Sequence, residues 1–418
     1  GILTRRIRGD PDLEGVGLLI FDEFHERSLQ ADLGLALALD AAAVLRPDLR
    51  ILVMSATLDT QAVSCLLGGA PVIRCAGRAH PVETIYAESR GGRDPVEAVV
   101  AGVCRAFAER SGDLLAFLPG GGEIRRALAR LGPLLGDRAR LLPLHGELPV
   151  SEQALALGPN PGPLRRVVLA TDIAETSITI DGVTTVIDSG LTRKPRFDPG
   201  SGLTRLVTEP ISRASADQRA GRAGRLGPGT CYRLWTREQE VGRPEHRPAE
   251  ILQSDLAPLV LELAMWGTRD PTTLAWLDPP PSGTSSQAVR LLQDLDALGS
   301  GGTITGLGRR MAELPIQPRL ARMLATAPDD GSRRLTADMA ALLSDRDPWK
   351  TEPGLPRPAD LGLRLHALER FRASGQAQGA ERRRLAAADR LSRKLFRGKV
   401  APAEPTTQEP GALLALAY

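Results

Sequence analysis

Two stretches of this 418-residue sequence carry side chains whose types and spacing could handle phosphate groups. In GLLIFDEFHERS, residues 17–28, an apolar run stops at Asp22 and Glu23, with His25 and Arg27 just beyond. A carboxylate at the mouth of a strand can hold a hydrated Mg²⁺, and its neighbour can orient or deprotonate an attacking water. The pair alone is also compatible with an ordinary polar strand end. In SRASADQRAGRAGR, residues 212–225, Arg219, Arg222 and Arg225 stand three apart with Gly221 and Gly224 between them. Two glycines inside a helix cost about 1 kcal/mol each relative to alanine, so close backbone approach to a ligand or a facing domain is expected there. Guanidinium groups suit a γ-phosphate whose charge spreads in the transition state. The alternatives are a capping box joining Ser215 to Gln218, and a basic surface helix for the arginines.

The elements that must position these groups follow from the alternation along the chain. Short, nearly continuous apolar runs at 16–21, 50–54, 114–118, 141–144, 167–170, 184–187 and 231–234 read as strands covered on both faces. Alanine-rich segments of helical length separate them, which implies parallel sheets flanked by helices. The polar stretch AHPVETIYAESRGG, 79–92, reads as the joint between two such units. LTRKPRFDPGSGLTRLVTEPIS, from residue 191, reads as a hairpin turning at 199–202, or else an ordinary sheet edge. Beyond about residue 249 apolar residues fall at helical spacing, so the last third is expected to be mainly helical, with a loop at 401–410.

Composition narrows the class. With 42% hydrophobic and 25% charged residues, no apolar run of membrane-spanning length and no signal core at the start, a cytoplasmic protein without membrane segments is expected. Cys65, Cys75, Cys104 and Cys231 lack metal-ligand spacing and read as reduced, mostly buried thiols. Of 53 basic residues four are lysine, and residues 357–399 hold 12 Lys/Arg against 4 Asp/Glu, a surface suited to nucleic acid or a solvated helix face.

Taken together, the segments resemble the DEAH-box branch of the superfamily 2 helicases, and within it the HrpB type. DEFH, 22–25, is similar to motif II, with Phe24 in place of the usual alanine as in that type; SAT, 55–57, to motif III; LLAFLPGGGEI, 114–124, to motif IV; ATDIAETSITIDGVTTVIDSG, 170–190, to motif V; and 218–225 to motif VI. GILTRR, 1–6, resembles the end of a stretch that touches nucleic-acid backbone. Past residue 250, ILQSDLAPLVLELAMWG, WLDPPP and GLGRRMAELPIQPRLARML resemble winged-helix and helical ratchet regions, and GALLALAY the segment leading to an OB-type module.

The resemblance implies an α/β fold of tandem RecA-like parallel-sheet domains, the first truncated, at 1–80 and 90–248, then a winged-helix domain at 250–318 and a ratchet-like domain at 319–418. It implies an ATP-dependent nucleic-acid helicase acting on single strands, RNA foremost, with ATP and Mg²⁺. Asp22 would bind Mg²⁺ through water, Glu23 would be the catalytic base, and His25 would relay to motif VI. Gln218, Arg222 and Arg225 would face the γ-phosphate. Ser55 and Thr57 would couple hydrolysis to strand separation, Thr179 and Asp181 would lie near the nucleoside, and Arg5, Arg6, Thr171 and Thr176 along the strand. None of the four lysines stands in a P-loop, G-x-x-x-x-G-K-[ST], which would cradle the β- and γ-phosphates. Negligible ATP hydrolysis by these 418 residues and poor folding of 1–80 are therefore expected, and a non-catalytic binding module for nucleic acid or protein is the alternative reading.

Overall fold

The computed structural model describes residues 2–56, 60–75, 80–88, 94–160, 162–175, 180–344, 347, 359–377, 379–396 and 409–417. Two compact units result, one of Gly1–Ser254 with Ala275–Asp278, the other of Asp255–Leu274 with Pro279–Tyr418.

The first unit starts with α1 (Ile2–Gly9), β1 (Leu18–Phe21), α2 (Leu29–Val44), β2 (Arg50–Val53) and α3 (Thr60–Leu66). β1 and β2 pair in parallel, Leu18 opposite Arg50 and Phe21 opposite Val53. Ser28 caps α2 by accepting from the Ala31 amide, and α2 buries Leu33, Leu35 and Leu37. On the sheet, by contrast, Leu18, Ile20 and Leu52 stay 46, 55 and 41% exposed. The expectation of strands covered on both faces therefore fails here, because side chains alternate across a strand and, among the described residues, only one face meets a covering layer.

A second, wholly parallel sheet follows. It is built from β3 (Val82–Tyr86), α4 (Pro95–Glu109), β4 (Asp113–Phe117), α5 (Gly121–Leu135), β5 (Ala139–Leu144), α6 (Val150–Leu157), β6 (Arg165–Ala170) and β7 (Val183–Asp188). After β7 come the strands β8 (Leu191–Asp198) and β9 (Leu203–Pro210), the helix α7 (Arg213–Gly221), the strand β10 (Gly229–Arg233) and the helix α8 (Arg237–Val241). The strand order is β3-β10-β7-β4-β6-β5. Leu114, Ala116, Val167, Leu169 and Ile187 face a core shared with α4 and α5. Leu115, Phe117, Val168, Ala170 and Val186 face the other way, under Ala156, Ala174, Ile180, Ala220 and Ala223. Burying each such large apolar side chain stabilises by roughly 1.5–3 kcal/mol. β3 lies inside the expected joint: its V-E-T-I-Y reads as polar, but an edge strand needs cover on less of its surface, and it pairs with β10 from Val82 opposite Gly229.

β8 and β9 form the expected antiparallel hairpin, turning at 199–202. Asp198 accepts from the Gly200 amide at 3.0 Å and the Ser201 hydroxyl at 2.7 Å, and Gly202 takes φ +66° to close the turn.

The second unit is helical: α9 (Ala257–Trp266), α10 (Ser282–Asp294), α11 (Gly306–Ala312), α12 (Pro318–Ala325), α13 (Asp330–Ser344), α14 (Leu361–Ser374), α15 (Gly379–Phe396) and α16 (Pro410–Leu414). An isolated antiparallel bridge, Leu298 to Ile304, lies between α10 and α11. Met323, Met339, Leu368, Leu385 and Leu413 join α12 to α16 in one core. Part of the basic run turns inward, since Arg372 reaches Asp338 and Asp389 at 2.6 Å each. Cys65 and Cys75 are exposed, contrary to the mostly buried thiols expected, while Cys231 is buried. No described helix is long and apolar enough to cross a membrane.

Candidate active site

β1 ends at Phe21 and the chain turns back on itself within six residues. Glu23 and Arg27 both adopt the left-handed conformation at φ +50°, an uncommon state for side-chain-bearing residues that surrounding contacts must hold. Asp22 Oδ1 accepts from the Glu23 amide at 2.8 Å, the Phe24 amide donates to Met54 O at 3.0 Å, and the buried Phe24 ring packs edge-on against Phe21 at 6.2 Å. The large side chain at position 24 is thus an anchor for the turn. Arg27 is buried, bonding Asp32 at 3.1 Å and Asp278 at 2.6 Å, while its carbonyl accepts from the Glu250 amide and Glu250 accepts from the Leu29 amide at 2.7 Å.

The turn brings His25 against α7. Its Nδ1 accepts from the Ala56 amide at 3.4 Å, which leaves the proton of a neutral ring on Nε2. Nε2 lies 2.8 Å from the side-chain amide atom placed as Gln218 Nε2 and 3.5 Å from Glu23 Oε2. A glutamine amide can present its oxygen or its nitrogen at the same position, and an Nε2–H selects the oxygen. Glu23, His25 and Gln218 therefore form one continuous polar chain from the first sheet to the second. Gln218 is not in a capping box: Ser212 caps α7, accepting from the Ser215 amide at 3.2 Å, and the Ser215 hydroxyl donates to Glu175 at 2.6 Å.

The three arginines have separate fates. Arg219 is fully buried, donating to Glu175 at 3.0 Å and Asp188 at 2.9 Å, with its guanidinium 4.7 Å above the Phe117 ring. Arg222 donates to the Glu175 carbonyl. Burial and the like charge of Arg225 push Arg222 down to about 10, with the Glu23 carboxylate pulling the other way. Arg225 is exposed. Burial alone would raise the Glu175 carboxyl, but Arg219 and Arg247, with the Ser215 and Arg219 hydrogen bonds, hold it below the usual range. The glycines also differ from expectation. α7 ends at Gly221, so neither sits in a helix interior. A Cβ on Gly224 would meet His80 O at 2.6 Å and Val82 Cγ2 at 2.7 Å, while one on Gly221 would meet nothing. The close approach expected at these glycines is thus real at one of them, and it is to β3 of the same sheet.

The remaining candidates divide. Thr171 begins the short turn after β6, its amide bonded to Leu144 O, at the carboxyl edge of the sheet. Asp181 is exposed just before β7, at the amino edge, with its carbonyl held by Arg166, which also binds Asp113 at 2.7 Å. α7 runs the same way: Arg219 reaches Asp188 at the carboxyl end of β7, and Gly224 meets the start of β3. Arg225 and Asp181 thus lie toward the same edge. Arg5 and Arg6 are exposed on α1, and Ser55 is exposed after β2. Thr57, Thr176 and Thr179 lie outside the described residues. Glu175, Asp188 and Glu250 went unmarked in the sequence, and Arg27 was marked only as a companion of the carboxylate pair; Glu175 and Asp188 are two of four carboxylates in motif V, and nothing in the sequence singles them out.

A lone carboxylate such as Asp22 would suit an Mg²⁺ that keeps most of its waters and arrives with a phosphate, and guanidinium groups such as Arg222 and Arg225 would suit that phosphate's terminal charge. The residues present therefore fit the metal and γ-phosphate end of a nucleotide. A cavity of about 320 Å³ adjoins the His25–Gln218 pair, lined by these two with Arg27, Glu175 and Arg247 among others.

A parallel-sheet fold of RecA-like type, a carboxylate turn facing an arginine helix and a helical second unit define a helicase-class protein. The helicase conserved C-terminal domain matches residues 104–227, and the helicase-associated winged-helix domain (HA2) matches 288–316. The chain is 48% identical over 363 residues to the ATP-dependent RNA helicase HrpB of Escherichia coli, covering 87% of this chain and 44% of that protein. It is 37% identical over 370 residues to the pre-mRNA-splicing factor ATP-dependent RNA helicase prp22 of Schizosaccharomyces pombe, covering 86% and 31%. Crystal structures of the E. coli DExH-box NTPase HrpB and DEAH/RHA helicase HrpB superpose on the whole chain with TM-scores of 0.81 and 0.84 at 43% identity, covering 49% and 50% of those chains. This chain belongs to the DEAH-box helicases, HrpB type, and spans less than half the length of the curated relatives it matches.

Proposed function

We propose that these residues form the γ-phosphate half of an ATP-driven, single-strand-translocating RNA helicase. The observation that carries the reading is the Glu23–His25–Gln218 chain, at 3.5 and 2.8 Å, which ties the carboxylate turn to the arginine helix. In this reading Mg²⁺, when bound with ATP, neutralises charge developing on the phosphoryl group. Asp22 holds that ion through water, and Glu23 orients and deprotonates the attacking water. His25 and Gln218 fix Glu23 and report its state to α7, and Arg222 and Arg225 meet the terminal phosphate. Ser55 and Thr57 couple hydrolysis to strand movement, Thr179 and Asp181 flank the nucleoside, and Arg5, Arg6, Thr171 and Thr176 touch strand phosphates, which gives affinity without sequence readout. Residues 1–80 and 90–248 act as the two nucleotide-facing halves, 250–318 as a winged helix and 319–418 as a ratchet, in a cytoplasmic setting. The relatives' names as RNA helicases support RNA as the strand.

A second reading, a non-catalytic module that grips nucleic acid or a protein, has one observation in its favour: no lysine of the 418 residues stands in a P-loop setting. Without that cradle the Mg²⁺ and γ-phosphate contacts lack an anchor. The 418-residue chain is accordingly expected to bind oligouridylate while turning over ATP at background rates. The test is RNA-stimulated phosphate release; turnover well above background, abolished by Glu23→Gln, would show that these residues suffice for catalysis. A chain that binds no oligouridylate would contradict both the helicase reading and a nucleic-acid module.

A further inference from the structure

Resting on the reading that this chain binds a nucleic-acid strand, a second site can be located at the base of the β8–β9 hairpin. A cavity of about 500 Å³ opens there between the hairpin, the start of α7 and residues 242–248. Its charged lining is Lys194, Arg196, Arg243 and Arg247 against a single carboxylate, Glu209. Arg196 is neutralised by Glu209 at 2.6 Å. Arg243 points its guanidinium at the carbonyls of Gly190 and Ile211, each at 2.9 Å. Arg247 reaches Glu175 at 3.2 Å, but that carboxylate is shared with Arg219. Lys194 stands apart: among the described residues its ammonium has no hydrogen bond or ion pair. Burial and the like charge of Arg247 push it down to about 8, although Glu209, Glu175 and Asp172 pull the other way.

A half-buried cation beside a guanidinium, with no carboxylate in contact, is stabilised by any anion that enters. The space also extends beyond what one small ion would fill. Ser212, Ser215, Arg247 and Pro248 line both this cavity and the smaller one beside His25, so the two adjoin. An extended polyanion matches that shape better than a free ion does. We propose that the hairpin-base cavity is a subsite for a backbone phosphodiester of the bound strand, held by Lys194 and Arg247. Because the Lys194 ammonium makes no hydrogen bond or ion pair among the described residues, replacing it is expected to leave the fold intact, whereas replacing Arg247 would disturb Glu175.

The test uses the 418-residue chain, a short 5′-hydroxyl oligouridylate and inorganic phosphate as probes. Lys194→Gln is expected to weaken oligouridylate binding about three- to tenfold and to reduce the slope of log K against log salt by about 0.7, with Lys194→Arg restoring both. The strand is also expected to slow acylation of Lys194 severalfold, read by mass spectrometry of the wild-type chain, while millimolar inorganic phosphate does not. Unchanged affinity and slope in Lys194→Gln, with the wild type binding normally, would overturn the subsite and leave the helicase reading standing. Protection by inorganic phosphate but not by the strand would also overturn it, assigning the cavity to a free anion. A wild-type chain that binds no strand would overturn the underlying reading and the subsite together.

Discussion

The two parallel sheets of the first unit hold their functional groups by different means. In the second sheet β4 is buried along its whole length, and apolar layers close both faces. In the first, two strands of four residues leave Leu18, Ile20 and Leu52 in contact with solvent. Yet the carboxylates stand on the less-covered sheet. Its site-bearing turn is held less by its own core than by bonds to later segments: His25 to Gln218, Arg27 to Asp278, and Glu250 to Leu29 and Arg27. The difference teaches that a site-bearing turn can borrow its rigidity through polar contacts from segments 193 or more residues away, where dispersion and burial supply rigidity elsewhere.

That contrast can be broken by mutation. Arg219→Met strips a fully buried cation from Glu175 and Asp188 and is expected to cost about 3–5 kcal/mol in denaturant unfolding. A loss below about 1 kcal/mol would mean the second sheet does not depend on this pair. Leu115→Ala, in β4, is expected to cost about 2–5 kcal/mol and Ile20→Ala, in β1, about 0.5 kcal/mol or less. Equal costs would erase the distinction between a closed and an open sheet. Arg27→Ala leaves Asp32 buried without its partner, a penalty of about 1–3 kcal/mol. Its mark should be local, as faster hydrogen exchange across residues 18–30 with the second sheet unchanged.

Acid sensitivity sharpens the same comparison with a smaller effect. The Glu175 carboxyl is held below its ordinary value in the folded chain, so the folded state binds this proton less readily than the unfolded one. Its contribution is fully present above the unfolded value, about 4.3, and is lost as pH falls through the lower folded value. Glu175→Gln is therefore expected to lower stability at neutral pH and to flatten the acid limb of the stability curve below about pH 4. An unaltered limb would remove Glu175 from the list of groups that hold motif V to α7.

Much of this was legible in the chain. The seven apolar runs became seven strands, with ends within two residues of those expected, because a short, continuous apolar run marks a strand even where, as in β1 and β2, part of it stays exposed. The hairpin followed from Pro199 and Gly202. β3 was not legible, since V-E-T-I-Y at an edge beside Pro81 reads like a linker. Nor could spacing separate Arg219 from Arg222 and Arg225. The three arginines are equally spaced in sequence, yet only Arg219 lies within α7, and its partners Asp188 and Glu175 lie 31 and 44 residues earlier. Glu175 was missed for the same reason: its worth comes from Ser215, Arg219 and Arg247, none of them local.

The most direct measurement is the ¹⁵N spectrum of the imidazoles, tractable with five histidines in the chain and assignable with His25→Gln. At a pH where the His25 ring is neutral, its proton is expected on Nε2, with Nδ1 accepting from Ala56, and Gln218→Ala is expected to shift the Nε2 resonance. A proton on Nδ1, or an Nε2 signal indifferent to Gln218→Ala, would contradict the polar chain that joins Glu23 to the arginine helix.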